Sequence, residues 1–443
     1  MYSSWSLSKS LPHWQAIFLG LVLLLSVTEL GQCTQSDFPC IVTYGLIAFA
    51  VYGIALWHGG LSLMQLAIIG LLSRLAMIFL FPTLSDDIYR FVWDGRLTLS
   101  GYNPYSYLPS DMVTQGIPSL HPQIYDSMNS PHYYTIYPPV AQAIFWISAL
   151  WTDVAQSAIV MKIIFVIAEC FTLLGLVKLL QHLNLRPTKA VVYWLNPLII
   201  VEGVGNLHFE IIMLCFLIWA AYYLFVTDRI YLAASMMALS IASKLLPLML
   251  LPYILIRCNR AQAIRFFLAL GSLLLLIFVP ILLGIQVANF ASSIDLYFQK
   301  FEYNASVYYI LRYCGRVLSG YNLIHYIGPA LGLITVALIV RKAYRSRTYE
   351  LYNFLEYGLF SFTAYLLLAT TVHPWYLTIP VALSVFSQFR YVIVWSGLIM
   401  LTYINYSYDP YQENLTIIAI EYLLVLTFLL WEYRGTTLSS KIA

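Results

Sequence analysis

The chain has 443 residues, 61% of them apolar and 10% charged, with a formal net charge of +3 and a mean hydropathy of +0.77. That balance excludes a soluble globular domain, and the small positive excess gives no argument for nucleic acid as a partner. In a bilayer every backbone amide must be satisfied within its own segment, so the expected fold class is an all-α polytopic membrane protein.

Hydropathy predicts about twelve or thirteen spans. Apolar runs lie near 14–30, 40–57, 61–81, 137–152, 155–180, 188–203, 207–226, 230–256, 262–284, 321–340, 351–371, 374–389, 391–407 and 416–433. The runs 137–152 and 374–389 are short enough to be partial or re-entrant, and 230–256 can break at Lys244 and Pro247. The first run shows no cleavage site and reads as an anchor. Six cysteines carry no CxxC or His–Cys metal spacing. Cys33 and Cys40 could close an external disulfide, but free thiols are the expectation.

Arg257, Arg260 and Arg265 form one basic cluster, and Arg341, Lys342, Arg345 and Arg347 another. The positive-inside bias places both in the cytoplasm, which makes the segments 82–136 and 285–320 external. Lys178, Arg186 and Lys189 conflict with this if 137–152 and 155–180 both cross.

The segment 82–136 is the largest interruption of the apolar pattern. Ser85-Asp86-Asp87-Ile88-Tyr89-Arg90-Phe91-Val92-Trp93-Asp94-Gly95-Arg96 packs three carboxylates and two guanidinium groups into one short stretch. It reads as a helix beginning near Ser85, with Ser85 as its cap and both acids beside the positive dipole end. Gly101-Tyr102-Asn103-Pro104-Tyr105 reads as the turn that closes it. Asp87 and Asp94 share a face, and Asp87 and Arg90 are one turn apart and adjacent. Taken alone, this pattern fits a solvated surface helix better than a site.

Ionisable residues within apolar runs shift the balance, because they are costly in a membrane and mark sites or internal contacts. Arg74, Lys162, Glu169, Glu202, Glu210, Lys244, Glu356 and Glu421 are of this kind. Lys162 and Lys244 have stems long enough to snorkel, and Glu421 reads as structural or interfacial. Asn196-Pro197, Glu202, Asn206, His208 and Glu210 are too dense in polar groups for a lipid-facing helix; a site and an internal helix–helix contact fit them equally.

Asp87-Ile88-Tyr89-Arg90-Phe91-Val92-Trp93-Asp94-Gly95, followed by Gly101-Tyr102-Asn103-Pro104-Tyr105, resembles the first-loop motif of GT-C-type polyprenyl-phosphate-sugar glycosyltransferases, closest to the family 87-like mannosyltransferases. Tyr137-Pro138-Pro139, Asn196-Pro197 with Glu202 and His208, Lys244 with Pro247, and His373-Pro374-Trp375-Tyr376 extend the likeness over residues 82–380.

The resemblance implies one integral membrane domain over residues 1–443 that moves a hexose, mannose by family, from a polyprenyl-phosphate donor to a lipid or glycan acceptor, with inversion. Asp87 matches the family's general base and Asp86 is the fallback. A departing phosphate needs cations to hold it, for which Arg90, Arg96, Lys244, Arg312 and His373 are candidates, with Arg312 and His373 favoured. A solvated loop arginine and a helix-end histidine explain those two equally well. Asp94, Asn103, Tyr105, Tyr137, His208, Glu210 and Tyr376 complete the expected substrate-binding set. No cofactor is expected and no metal, since a lipid monophosphate lacks the diphosphate that a divalent ion clamps. The expected place is a bacterial plasma membrane. A lipid-linked glycan polymerase or ligase is the nearer alternative. A secondary transporter is the more distant one, because no internal repeat is visible.

Overall fold

The computed structural model describes residues 11–299, 301–346 and 348–442. They fold as helices, and the one β contact among them is an isolated parallel bridge between Tyr303 and Thr371. Among the described residues, six helices are long and apolar enough to cross a membrane: His13–Leu30, Phe38–His58, Val154–His182, Arg260–Ile277, Ile324–Arg345 and Leu415–Arg434. The pair Ile199–Gly205 and Glu210–Phe225, bent by 106°, brings the number to seven if it counts as one broken span and not as a re-entrant loop. Exposed Leu268, Leu275, Leu276, Leu333, Leu423 and Trp431 leave the apolar sides of these helices facing outward, as lipid contact requires.

The count is lower than the twelve or thirteen expected from hydropathy because several apolar runs are not single helices. The run 230–256 is interrupted as predicted: Ile230–Ser243 ends at Lys244, whose backbone is extended (φ −163°, ψ 139°), and a 3-10 turn carrying Pro247 follows. Ile199–Gly205 is wound as a π-helix. Pro139–Ser148 has 10 residues, about 15 Å of rise against a hydrocarbon core of roughly 30 Å, so it cannot cross.

That short helix also resolves the conflict over Lys178, Arg186 and Lys189. Val154–His182 starts beside the first loop, where Arg96 Nη2 donates to the Thr152 carbonyl. It ends at His182, which lines a cleft with Tyr349 and Glu350 near the second basic cluster. The two basic clusters themselves meet, since Arg257 Nε donates to the Ala343 carbonyl at 2.8 Å. Arg347 lies outside the described residues. The opposite end gathers the first loop and 278–299: Asn103 Nδ2 donates to the Pro280 carbonyl (2.8 Å) and Asn289 Nδ2 to the Tyr105 carbonyl (2.9 Å).

Two cysteine and lysine expectations are corrected. Cys33 and Cys40 form a disulfide, because the turn between the first two helices returns the chain on itself and brings the pair together at the loop end. Lys162 does not snorkel; it is fully buried and its ammonium donates to the carbonyls of Met77 (3.0 Å) and Leu80, closing the end of Leu63–Ile78. Glu421 is structural as expected, accepting from Trp395 Nε1 at 2.8 Å.

A fully buried ion pair ties Leu63–Ile78 to Val154–His182. Arg74 Nη2 lies 2.6 Å from Glu169 Oε2, its Nη1 donates to the Gly70 and Trp194 carbonyls, and the guanidinium sits 3.7 Å from the Trp194 ring centroid. The hydroxyl of Tyr193 donates to the other Glu169 oxygen.

Candidate active site

The first-loop helix runs Asp87–Leu99, two residues later than expected. Asp86 occupies the cap position without a side-chain cap bond, and Ser85 Oγ accepts the Asp87 amide at 3.3 Å. Ser85 is drawn inward and buried, so its hydroxyl closes a short turn there. Gly101, at φ +86°, lets the chain turn after the helix as predicted. Gly95 is required for a different reason: a Cβ there would lie 2.3 Å from the Phe145 carbonyl oxygen, so glycine alone allows this helix to press onto Pro139–Ser148.

Much of the motif's charge is spent inside the protein. Arg90 pairs with Asp94 (Nε to Oδ1, 2.8 Å), not with Asp87, because the i,i+4 geometry brings it to Asp94 and its fork then reaches the Ser130 and Tyr133 carbonyls. The second Asp94 oxygen accepts from Gln142 Nε2 at 2.9 Å. Arg96 donates to the carbonyls of Ser119 and Thr152. Tyr105 is buried, its hydroxyl donating to the Tyr137 carbonyl at 2.7 Å, and the Tyr137 ring meets Phe91 edge-on at 4.9 Å.

Asp87 remains at the boundary. Half-buried, it accepts from Asn129 Nδ2 at 3.1 Å, and Glu210 and Tyr406 both lie within its electrostatic reach. Asp86 is more exposed, yet partial burial, with the charge of Asp87 second, holds its carboxyl above the usual carboxylate range.

Beneath these acids the bent helix pair supplies the rest. The chain reverses at Leu207, a buried leucine at φ +63°, and this reversal sets His208 and Glu210 at the head of the following helix. Asn206 fixes the turn to the first loop by accepting the Leu84 amide at 3.0 Å. Glu210 is ion-paired to Lys244, whose side chain keeps 29% of its surface exposed and lies 4.9 Å from the Tyr376 ring centroid. Glu210 Oε2 has no hydrogen-bond partner among the described residues.

His208 Nε2 stands 3.3 Å from Glu202 Oε2, and the His208 ring begins a column of four. It stacks on Trp375 at 3.5 Å, Trp375 on His373 at 4.4 Å, and His373 on Tyr303 at 4.6 Å. Tyr303 reaches this place through the bridge to Thr371, where the Val372 amide donates to the Tyr303 carbonyl at 2.8 Å. Burial, with the Lys244 charge second, pushes the His373 imidazole down to about 3, so the ring is neutral and not the cation expected for a phosphate. Arg312 is engaged elsewhere, ion-paired to Glu302 and 4.1 Å from the Tyr309 ring centroid.

The structure therefore brings together Asp86, Asp87, His208, Glu210, Lys244, His373 and Tyr376. It uses Arg90, Asp94, Arg96, Asn103 and Tyr105 to shape the loop. Asn129, Tyr303, Trp375 and Tyr406 join the site without having been expected there; only Trp375, inside His373-Pro374-Trp375-Tyr376, had a signal in the sequence. No three His, Cys, Asp or Glu side chains among the described residues come together as metal ligands would.

Apolar helices closing around a lysine, paired acids and stacked rings, under a loop helix at one end, define a multi-pass integral membrane protein with a polar site at one face. The chain belongs to the family described as alpha-(1->6)-mannopyranosyltransferase, N-terminal domain, whose model matches residues 20–260, more than half of it. The matched region includes Asp87, His208, Glu210 and Lys244 and ends before Arg312 and His373. The chain is 25% identical over 186 residues to alpha-(1->6)-mannopyranosyltransferase A of Corynebacterium glutamicum, an alignment covering 40% of this chain and 36% of that protein. The chain thus spans about a third of the length of this curated relative.

Proposed function

We propose that the protein transfers mannose from a polyprenyl-phosphate donor to a lipid or glycan acceptor at the external face of a bacterial plasma membrane, with inversion at the anomeric carbon. The observation that carries this reading is Asp87 beside a polar site whose lysine, Lys244, keeps 29% of its side-chain surface exposed. Asp87 takes the acceptor hydroxyl proton as that oxygen bonds to the anomeric carbon. The bond from that carbon to the phosphate oxygen breaks, and the polyprenyl phosphate leaves with the electron pair, its charge met by Lys244. Asp86 is the second candidate for the base, and Arg312 the second for the phosphate. Inversion of a β-linked donor gives the α linkage named for the relative.

The disulfide supports the sidedness. Such bonds persist on the oxidising side of a membrane and are rare in a reducing cytosol. Cys33–Cys40 sits at the loop end: Thr83 Oγ1 donates to the Cys33 carbonyl at 2.7 Å, three residues before Asp86. The basic clusters occupy the other end.

The test is transfer by purified, lipid-embedded protein offered mannosyl and glucosyl polyprenyl phosphates and GDP-mannose in parallel. Transfer from the mannosyl lipid, unaffected by EDTA, is expected; turnover with GDP-mannose and no lipid carrier overturns the donor. For sidedness, in a Cys314→Ser background, Asp111→Cys should react with an impermeant thiol reagent in intact cells and Arg345→Cys should not. The reverse pattern overturns the external site.

A further inference from the structure

A base must present its lone pair to the acceptor in one direction, and Asp87 has no basic partner among the described residues to fix it. Its own helix offers none: Arg90, one turn on, is committed to Asp94. The contact that does orient the carboxylate comes from 42 residues away, where Asn129 Nδ2 donates to Asp87 Oδ1 at 3.1 Å.

Asn129 lies on irregular chain, which would give it little precision if the segment were loose. It is not loose. Arg90 Nη1 donates to the carbonyls of Ser130 at 3.0 Å and Tyr133 at 2.8 Å, immediately after Asn129. Arg90 is 2% exposed and is locked in turn: Nε donates to Asp94 Oδ1 at 2.8 Å, and Asp94 Oδ2 accepts from Gln142 Nε2 at 2.9 Å. Gln142 belongs to Pro139–Ser148, the helix on which Gly95 presses. One rigid assembly therefore carries both the carboxylate and the amide that touches it.

We infer that Asn129 is a positioning residue for Asp87, and that Arg90, through the 130–133 carbonyls, sets its reach. With Oδ1 held by the amide, Oδ2 is the oxygen turned to the acceptor. The other charged groups around Asp87 cannot do this work. Asp86 and Glu210 are like-charged, and Lys244 is bound to Glu210. Arg90 and Asp94 are thereby assigned to the aim of the base and not to the sugar. The inference rests on Asp87 being the base.

Asn129 is exposed, so changing it should leave folding intact. With mannosyl polyprenyl phosphate as donor, Asn129→Ala should lower kcat about 10- to 100-fold, the range for losing a hydrogen bond to a charged group. Donor KM and thermal midpoint should stay unchanged. Asn129→Gln, which keeps the amide donor, should recover part of the loss, and Asn129→Ala should cost nothing further in an Asp87→Asn background. Unchanged kcat in Asn129→Ala, or a rise in KM alone, overturns the inference while Asp87→Asn stays inactive. A fully active Asp87→Asn enzyme instead removes the base reading, and the inference with it.

Discussion

Two ion pairs between packed elements, Arg74–Glu169 and Glu210–Lys244, differ in how completely their carboxylates are used. Arg74 and Glu169 are both fully buried, and the guanidinium divides itself among a carboxylate, two carbonyls and an indole face, while Tyr193 occupies the remaining carboxylate oxygen. Glu210 is as deeply placed, yet Lys244 is 29% exposed, Glu210 Oε2 is unpartnered among the described residues, and His208 faces Glu202 at 3.3 Å without hydrogen-bond geometry. Buried charge in a membrane protein therefore has two meanings. A pair sealed from solvent with both carboxylate oxygens engaged holds helices together; one with a carboxylate oxygen left over beside a partly exposed cation can receive something.

The sharpest way to break this contrast is on the open side. Asp87→Asn keeps size and most hydrogen bonding but cannot take a proton, so turnover should fall by roughly 10²–10⁴-fold with folding intact. Near-normal turnover in a well-folded Asp87→Asn protein ends the mechanism. The closed pair should respond in the other currency, stability. Arg74→Met strands a buried carboxylate and should cost about 3–5 kcal/mol, while Arg74→Met with Glu169→Leu should recover most of it. Thermal unfolding in detergent reads this, and a mild single variant would show that the pair is not closed.

Lys244→Met tests whether the open pair serves the phosphate. Loss of a charge-assisted contact predicts a fall of about 10–100-fold in transfer from the mannosyl lipid, with less destabilisation than Arg74→Met. Equal destabilisation and no kinetic effect would make the two pairs alike. Asp86→Asn should do least. Its carboxyl is held above the ordinary range, so the folded protein binds that proton more tightly than the unfolded chain. The resulting penalty is absent below the unfolded value and complete once pH has risen through the folded one. Asp86→Asn should therefore be slightly more stable than the parent at neutral pH, by less than about 0.5 kcal/mol at so exposed a site, and the gain should vanish in acid.

The sequence made part of this legible because some signals are local. The acids of Ser85–Arg96, the turn at Gly101, the interruption at Lys244 and the polar group from Glu202 to Glu210 all sit within a few residues of what they do. Hydropathy gives more spans than there are long unbroken apolar helices among the described residues, because it averages composition, whereas helix length depends on an unbroken ladder of backbone bonds. Ile199–Gly205 is apolar enough for either outcome. The Asn129–Asp87 contact and the arrival of Tyr303 beside His373 depend on chain that meets only after folding, and no periodicity foretells them. The cysteine pair was equally silent, since a separation of seven residues fits a bond or two free thiols.

Leu207 sets a limit on how this site can be altered. A left-handed backbone at a residue with a branched side chain costs about 1–3 kcal/mol, so glycine would relieve it. The same leucine is fully buried, and removing such a side chain costs about 2–5 kcal/mol. Directed evolution toward heat tolerance should therefore find no improving single step at this position, and the reversal that seats His208 and Glu210 should pass through selection unchanged.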